Sequence, residues 1–294
     1  MEETSAFFGS YEELSDGGLG DIQKIHESPE SYSVLNRMTL DGKLVALKSL
    51  KPEYVGNPFY EGLLRKEYEI GHSLDHPNIC PTLDFINISG LGNCIVSQWI
   101  DGSNLADWLQ NHPDRSVTRK ILLELCDALE YLHRNQIIHR DLKPSNIMIT
   151  RNGQNVKLID FGLADADWYA TFKNPAGTKD YISPEQMAGE SVDCRADIYS
   201  LGKIMQAMGV YSRIAAVCAA EDRDKRYGSV ADVRAAILGK GRRKRFIAFA
   251  AITSVLAIVL SLSLMLPDIK AARNRRAVDS VFEAISADIK EAGY

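Results

Sequence analysis

The longest uncharged stretch places the strongest constraint on what this chain can fold into. Phe246 to Leu266 runs for 21 residues, FIAFAAITSVLAIVLSLSLML, without one ionisable side chain. A helix rises 1.5 Å per residue, so the run reaches roughly 31 Å, about one hydrocarbon thickness. Core helices seldom run so far without a charge, and a signal peptide is excluded by position. The run reads as a single transmembrane helix. It leaves a body of 245 residues before it and a tail, 267–294, after it.

Charge follows the same division. Residues 240–294 carry ten basic and five acidic side chains, so the chain's net −5 is −10 over residues 1–239 and +5 beyond. An acidic body argues against nucleic acid as a partner, because that requires a basic face. Lys240, Arg242, Arg243, Lys244 and Arg245 stand directly before the apolar run, as expected of a cytoplasmic flank. Lys270, Arg273, Arg275 and Arg276 follow it, so charge alone leaves the orientation open. With 45% apolar residues the chain is not disordered, and 5 scattered cysteines without a CxxC pair read as reduced thiols.

The body shows no internal repeat and no low-complexity tract. Asp41-Gly42 between two alternating runs, Tyr32–Thr39 and Lys43–Ser49, predicts a hairpin. Tyr60–Leu74 has helical periodicity and stops before His76-Pro77; Cys94–Ile100 is strand-like; Thr118–His133 is a strongly periodic helix. Turns and helices dominate after Pro184. The expected fold is α+β, with a small strand-rich lobe followed by a helical lobe.

His139-Arg140-Asp141-Leu142-Lys143-Pro144-Ser145-Asn146 follows that last helix, and Asp160-Phe161-Gly162 comes 14 residues after Asn146. HRDxxxxN followed by DFG is highly specific, and over residues 21–238 the chain resembles the protein kinase superfamily, in particular bacterial receptor-type serine/threonine kinases. The resemblance implies a bilobal kinase fold with ATP and Mg²⁺ as cofactors. It makes Asp141 the catalytic base, Lys143 a neighbour of the transferred phosphate, and Asn146 and Asp160 the metal ligands. Lys48, in Val45-Ala46-Leu47-Lys48, would reach the α- and β-phosphates. Its expected partner is a helix glutamate about 19 residues on. Glu67 sits at that offset and Glu69 is the competitor. Ser97-Gln98-Trp99-Ile100 resembles the hinge, with Ser97 as gatekeeper, backbone groups of Gln98 and Ile100 facing adenine, and Ala46 and Met148 above and below the ring; plain core packing is the alternative for the apolar members. Ser183-Pro184-Glu185, Asp197 and Arg226 match structural positions, with Arg226 placed to pair with Glu185.

Three features depart from the pattern. Counting back from Lys48 puts the phosphate turn at His26–Ser31, where there is no glycine; Gly17, Gly18 and Gly20 lie too early. Asn174 stands where an activating phosphorylated residue is expected, with Thr171 and Tyr169 the nearest hydroxyls before Gly177-Thr178. Only 29 residues separate Asp197 from Arg226, which implies a shortened C-lobe.

The sequence therefore reads as an acidic segment (1–20), a kinase domain (21–238), a basic juxtamembrane segment (239–245), a membrane span (246–266) and a short tail (267–294). ATP is cytosolic, which would place residues 1–245 in the cytoplasm and the tail outside. A pseudokinase scaffold and a small-molecule kinase are the alternatives. The expected partners are ATP, an unspecified protein substrate, and membrane lipid along 246–266, with a membrane partner or a second copy through the span. Val278, Phe282, Ile285 and Ile289 recur at helical spacing in the tail.

Overall fold

The computed structural model describes residues 21–27, 31–111, 115–162, 179–239, 253–258, 261, 273–284 and 286. The chain separates into two compact units, Met1–Leu238 and Gly239–Tyr294. The segment 1–20, the basic stretch 240–245 and the activation-loop positions Tyr169, Thr171, Asn174, Gly177 and Thr178 lie outside the described residues.

The first unit begins with an antiparallel sheet of β1 (Gln23–Glu27), β2 (Ser33–Leu40), β3 (Lys43–Leu50), β4 (Thr82–Ile88) and β5 (Gly92–Gln98), in the order β1-β2-β3-β5-β4. The β2–β3 hairpin turns in two residues, Asp41 and Gly42, at φ +48° and +75°. Both central residues of such a turn need positive φ, which Asp-Gly supplies. The tight turn fixes the register: Leu35 faces Lys48 and Arg37 faces Ala46. Alternation then sends Met38, Val45 and Leu47 to one face, where they pack with Ile86, Ile88, Cys94 and Val96.

The same register corrects one expectation. His26 pairs with Leu35 and Glu27 with Val34, so both are strand residues rather than part of the phosphate turn; residues 28–30 lie outside the described residues. The two-residue hairpin is the reason: a count back from Lys48 by the family's usual spacing reaches into β1. Residues 28–32 contain no glycine either.

Helix α1 (Pro58–His72) crosses the other face of the sheet. Asn57 caps it, its side chain accepting from Phe59 N at 3.0 Å, and Pro58 occupies the first turn. Leu63, Leu64, Glu67 and Gly71 form its buried stripe.

The helical lobe is built on α3 (Arg115–Arg134), entered from β6 (Gly102–Asn104) and α2 (Leu105–Asn111). Ile121, Leu122, Leu125, Cys126, Ala128, Leu129 and Leu132 are buried along α3. They pack against Ile198, Leu201, Ile204 and Met205 of α5 (Arg195–Ala207), which follows α4 (Pro184–Ala188). Between Asp197 and Arg226 there is one seven-residue helix, α6 (Ser212–Cys218), and a 3₁₀ turn, Arg223–Lys225; α7 (Val230–Ile237) closes the unit. Gly202 lets α6 approach: a Cβ there would stand 2.6 Å from Cys218 Cβ and 2.7 Å from Ala219 N. Arg226 and Glu185 form a buried two-bond ion pair at 2.6 and 2.8 Å, tying the end of this shortened region to α4.

In the second unit, residues 253–258, 261, 273–284 and 286 are helical. Of the apolar run, 253–258 and 261 are thus described, and among the described residues no helix is long and apolar enough to cross a membrane.

Candidate active site

Two loops and two strands bring the chemistry-bearing residues together. Asn146 follows Lys143-Pro144 in a 3₁₀ turn (Pro144–Asn146) that leads into β7 (Ile147–Thr150), and β7 pairs with β8 (Val156–Leu158), two residues before Asp160. Ile159 N donates to Asn146 O at 3.0 Å, so these two segments are joined beside the site. Leu158 N donates to Asn78 O and Cys80 N to Leu158 O, which hangs the same strand on the loop after α1.

Asp197 holds the His139–Asp141 loop from beneath. Its fully buried carboxylate accepts from His139 N and Arg140 N, each at 2.9 Å, and contacts His133 Nε2 at 2.8 Å. Burial works against its charge, but these hydrogen bonds, His133 foremost, hold its carboxyl below the usual range. The grip matters because Arg140 and Asp160 adopt φ of +64° and +67°, a region disfavoured for residues with a Cβ. Such backbone persists only where surrounding contacts over-determine it.

Lys48 Nζ lies 2.5 Å from Glu67 Oε1 and 3.0 Å from Asp160 Oδ1. Glu67 is therefore the partner, while Glu69 points outward and is exposed. One ammonium serves two carboxylates, the buried Glu67 and the part-exposed Asp160, and Asp160 Oδ1 also accepts from Gly162 N at 3.2 Å. Burial disfavours the charged form of Asp160, yet Lys48 and the Gly162 amide hold its carboxyl well below the normal range. For Glu67 burial wins over Lys48, and its pKa rises to about 7. Lys48 itself is opposed by burial but held well above its ordinary value by Asp160 and Glu67.

A second cluster stands on the loop after α3. Lys143 Nζ is 2.7 Å from Asp141 Oδ2, and Asn146 Nδ2 donates to Asp141 Oδ2 and to its carbonyl, both at 2.9 Å. Burial raises the Asp141 pKa, with Lys143 opposing. With its NH₂ committed to Asp141, Asn146 keeps its amide oxygen as the atom available to a cation. A carboxylate and an amide oxygen suit Mg²⁺ that takes its remaining ligands from phosphate and water. Among the described residues no group of three or more His, Cys, Asp or Glu forms an all-protein metal cage.

The adenine-site expectations fall on adjacent strands. Ser97 lies opposite Ala46 across the β3–β5 pair, and Met148 sits on β7 between Asn104 and Lys157. Gln98 N donates to Pro81 O at 3.0 Å, while Cys80 Sγ approaches Gln98 O at 3.5 Å. Gln98 is exposed and Ile100 half-buried. Two residues were missed from sequence. Leu35 faces Lys48 across β2–β3, which the Asp41-Gly42 turn would have revealed by register. Tyr32 reaches Glu67 Oε2 at 3.5 Å, and no sequence signal marks it.

Residues 30–234 match the family model described as the protein kinase domain. The chain belongs to the protein kinase family. A probable serine/threonine-protein kinase of Streptomyces coelicolor is 37% identical over 221 residues, covering 70% of this chain and 31% of the relative. The serine/threonine-protein kinase PknB of Mycobacterium tuberculosis is 36% identical over 173 residues, covering 55% of this chain and 27% of that one. The chain thus spans less than a third of the length of these relatives. The crystal structure of the Mycobacterium tuberculosis PknI kinase domain superposes with a TM-score of 0.58 at 21% identity, covering 77% of this chain and 97% of that one. That likeness establishes the bilobal kinase fold.

Proposed function

We propose that this protein is a membrane-anchored, ATP-dependent serine/threonine protein kinase. The observation that carries the reading is the assembled pair of clusters, Lys48–Glu67–Asp160 and Asp141–Lys143–Asn146. Lys48, oriented by Glu67, binds the α- and β-phosphates. Asn146 and Asp160 would hold magnesium, which supplies neutralisation of phosphate charge when bound. Asp141 accepts the proton of the substrate hydroxyl as its oxygen forms a bond to the γ-phosphorus and the bond from that phosphorus to ADP breaks. Its raised proton affinity suits a base, and Lys143 beside it offsets negative charge at the transferred group. Ala46, Ser97, Gln98, Ile100 and Met148 frame the adenine.

The anchoring rests on the uncharged run 246–266, with residues 1–245 on the cytoplasmic side where ATP is found. The glycine-free turn favours a second reading, a pseudokinase that binds partners without transfer. One assay separates them: transfer of labelled phosphate from ATP to the protein itself or to a generic acceptor. Asp141→Asn and Lys48→Met are each expected to lower the rate by at least about a hundredfold. Equal signal from the wild type and both variants would end the kinase reading.

A further inference from the structure

The glycine-free turn between β1 and β2 lacks the residue type that lets a backbone close over phosphates, yet its outgoing end is firmly held. Ser31 Oγ accepts from Ser33 N at 3.1 Å and lies 2.9 Å from Ser33 Oγ. On the far side, Lys51 N donates to Tyr32 O at 2.9 Å. With its backbone fixed at both ends, Tyr32 sends its side chain down to helix α1 and the Asp160-Phe161-Gly162 segment. Its ring packs 5.8 Å from that of Tyr60, and its hydroxyl donates to Glu67 Oε2 at 3.5 Å.

Glu67 is thereby held by both oxygens: Oε1 by Lys48 and Oε2 by Tyr32. Gly162 marks where the groups converge. A Cβ built there would stand 3.1 Å from Glu67 Oε2, 3.2 Å from the Tyr32 hydroxyl and 3.3 Å from Asp160 Oδ1. Burial and the negative charge of Glu67 raise the phenol pKa, so the hydroxyl remains a donor.

We propose that Tyr32 is a positioning residue that holds Glu67 by the oxygen Lys48 leaves free, and so fixes the orientation of Lys48 in the phosphate site. The contact joins three segments that are otherwise distant in sequence: the start of β2, α1 and the segment after β8. A blocking role would be expected to separate Lys48 from Glu67, but the two remain 2.5 Å apart with Tyr32 in place. The clamp rests on the kinase reading for its consequence in catalysis, though its effect on nucleotide affinity does not depend on transfer.

The test uses the full chain with Tyr32→Phe, which keeps the ring against Tyr60 and removes only the hydroxyl, and Tyr32→Ala, which removes both. Direct binding of ADP is measured by titration with and without magnesium, alongside KM for ATP, kcat and melting temperature. Loss of one such hydrogen bond corresponds to up to roughly ten-fold in binding. Tyr32→Phe is expected to weaken ADP and raise KM for ATP by about that factor, with an unchanged KM for the protein acceptor and a smaller loss of melting temperature than in Tyr32→Ala, which is expected to weaken nucleotide binding further. Wild-type affinity and KM in Tyr32→Phe would overturn the clamp, and so would tighter nucleotide binding or faster transfer. If the wild type transfers no phosphate but Tyr32→Phe still weakens ADP, the kinase reading fails and the clamp stands.

Discussion

At the scale of single residues, the site is organised by how one cation is divided. Lys48 faces two carboxylates: Lys48 and then the Gly162 amide hold the Asp160 carboxyl well below its usual range, while burial raises that of Glu67 to about 7. This has a consequence for stability. The Glu67 carboxyl has an ordinary pKa of 4.5 and rises to about 7 on folding, so the folded protein binds that proton more tightly than the unfolded chain. The sign follows: its contribution is fully present below pH 4.5, declines as pH rises from 4.5 to 7, and is level above 7. Glu67→Gln removes the titration. The stability of the wild type relative to Glu67→Gln, from denaturant unfolding at successive pH values, is expected to fall across that window by up to roughly 3 kcal/mol. A flat difference between pH 4.5 and 7 would show that Lys48 keeps Glu67 ionised throughout. The positions of Lys48, Glu67, Asp141, Asn146 and Asp160 were legible because each belongs to a motif whose spacing is set by a strand or a tight loop. Tyr32 was not, because its role arises from where a turn lands, and a tyrosine in a short polar stretch carries no periodicity.

At the scale of elements, helix α1 shows how packing reaches the site. Glu67 and Gly71 lie four residues apart on one helix face, so whatever moves Gly71 moves Glu67. A Cβ at position 71 would come within 2.4 Å of Thr82 Oγ1 and 3.2 Å of Thr82 Cβ, at the start of β4. Turning the Thr82 hydroxyl away still leaves its Cβ, fixed to the strand backbone, at 3.2 Å, so the helix must give. Gly71→Ala gains helix propensity of about 1 kcal/mol but meets an overpacking cost of about 1–3 kcal/mol. The net expectation is a lower melting temperature together with reduced nucleotide affinity, both partly restored by adding Thr82→Ala, which removes the nearest atom. Stability equal to or above wild type in Gly71→Ala would show that α1 lifts from β4 without cost. Sequence periodicity found this helix but set it at Tyr60–Leu74, two residues late at each end. The Asn57-Pro58 cap explains the start, since its hydrogen bond to Phe59 N outranks the hydrophobic pattern. The hairpin at Asp41-Gly42 was legible to the residue at its turn, because only a few dipeptides support two successive positive φ angles. The placement of the phosphate turn was not, since it relied on an average spacing that this short hairpin does not follow.

At the scale of the whole molecule, the division of charge and apolarity along the chain makes a prediction about where the kinase works. The first 239 residues carry −10 and the rest +5, with five basic side chains immediately before 21 uncharged ones. The proposed anchoring implies two physical attachments, and they respond differently to solvent. The basic stretch would be attracted to anionic headgroups by about 1 kcal/mol per Lys or Arg, an attraction that salt screens within a Debye length of about 3 Å at 1 M. The acidic body is repelled by the same surface, which would hold the catalytic cleft clear of it. An inserted apolar helix, in contrast, is indifferent to salt, because its attachment is the burial of apolar area. Membranes from cells expressing the full chain are therefore expected to retain it through about 1 M salt and alkaline washing and to release it only into detergent. Replacing Lys240, Arg242, Arg243, Lys244 and Arg245 by serine should leave that retention intact while allowing a fraction of molecules to insert in the opposite sense, read as protection of residues 1–239 from protease added to the cytoplasmic side. Release by salt alone would reduce the attachment to electrostatics and remove the span from the proposal. Wild-type protease sensitivity in the serine variant would assign the orientation to the folding of the body before insertion rather than to its basic flank.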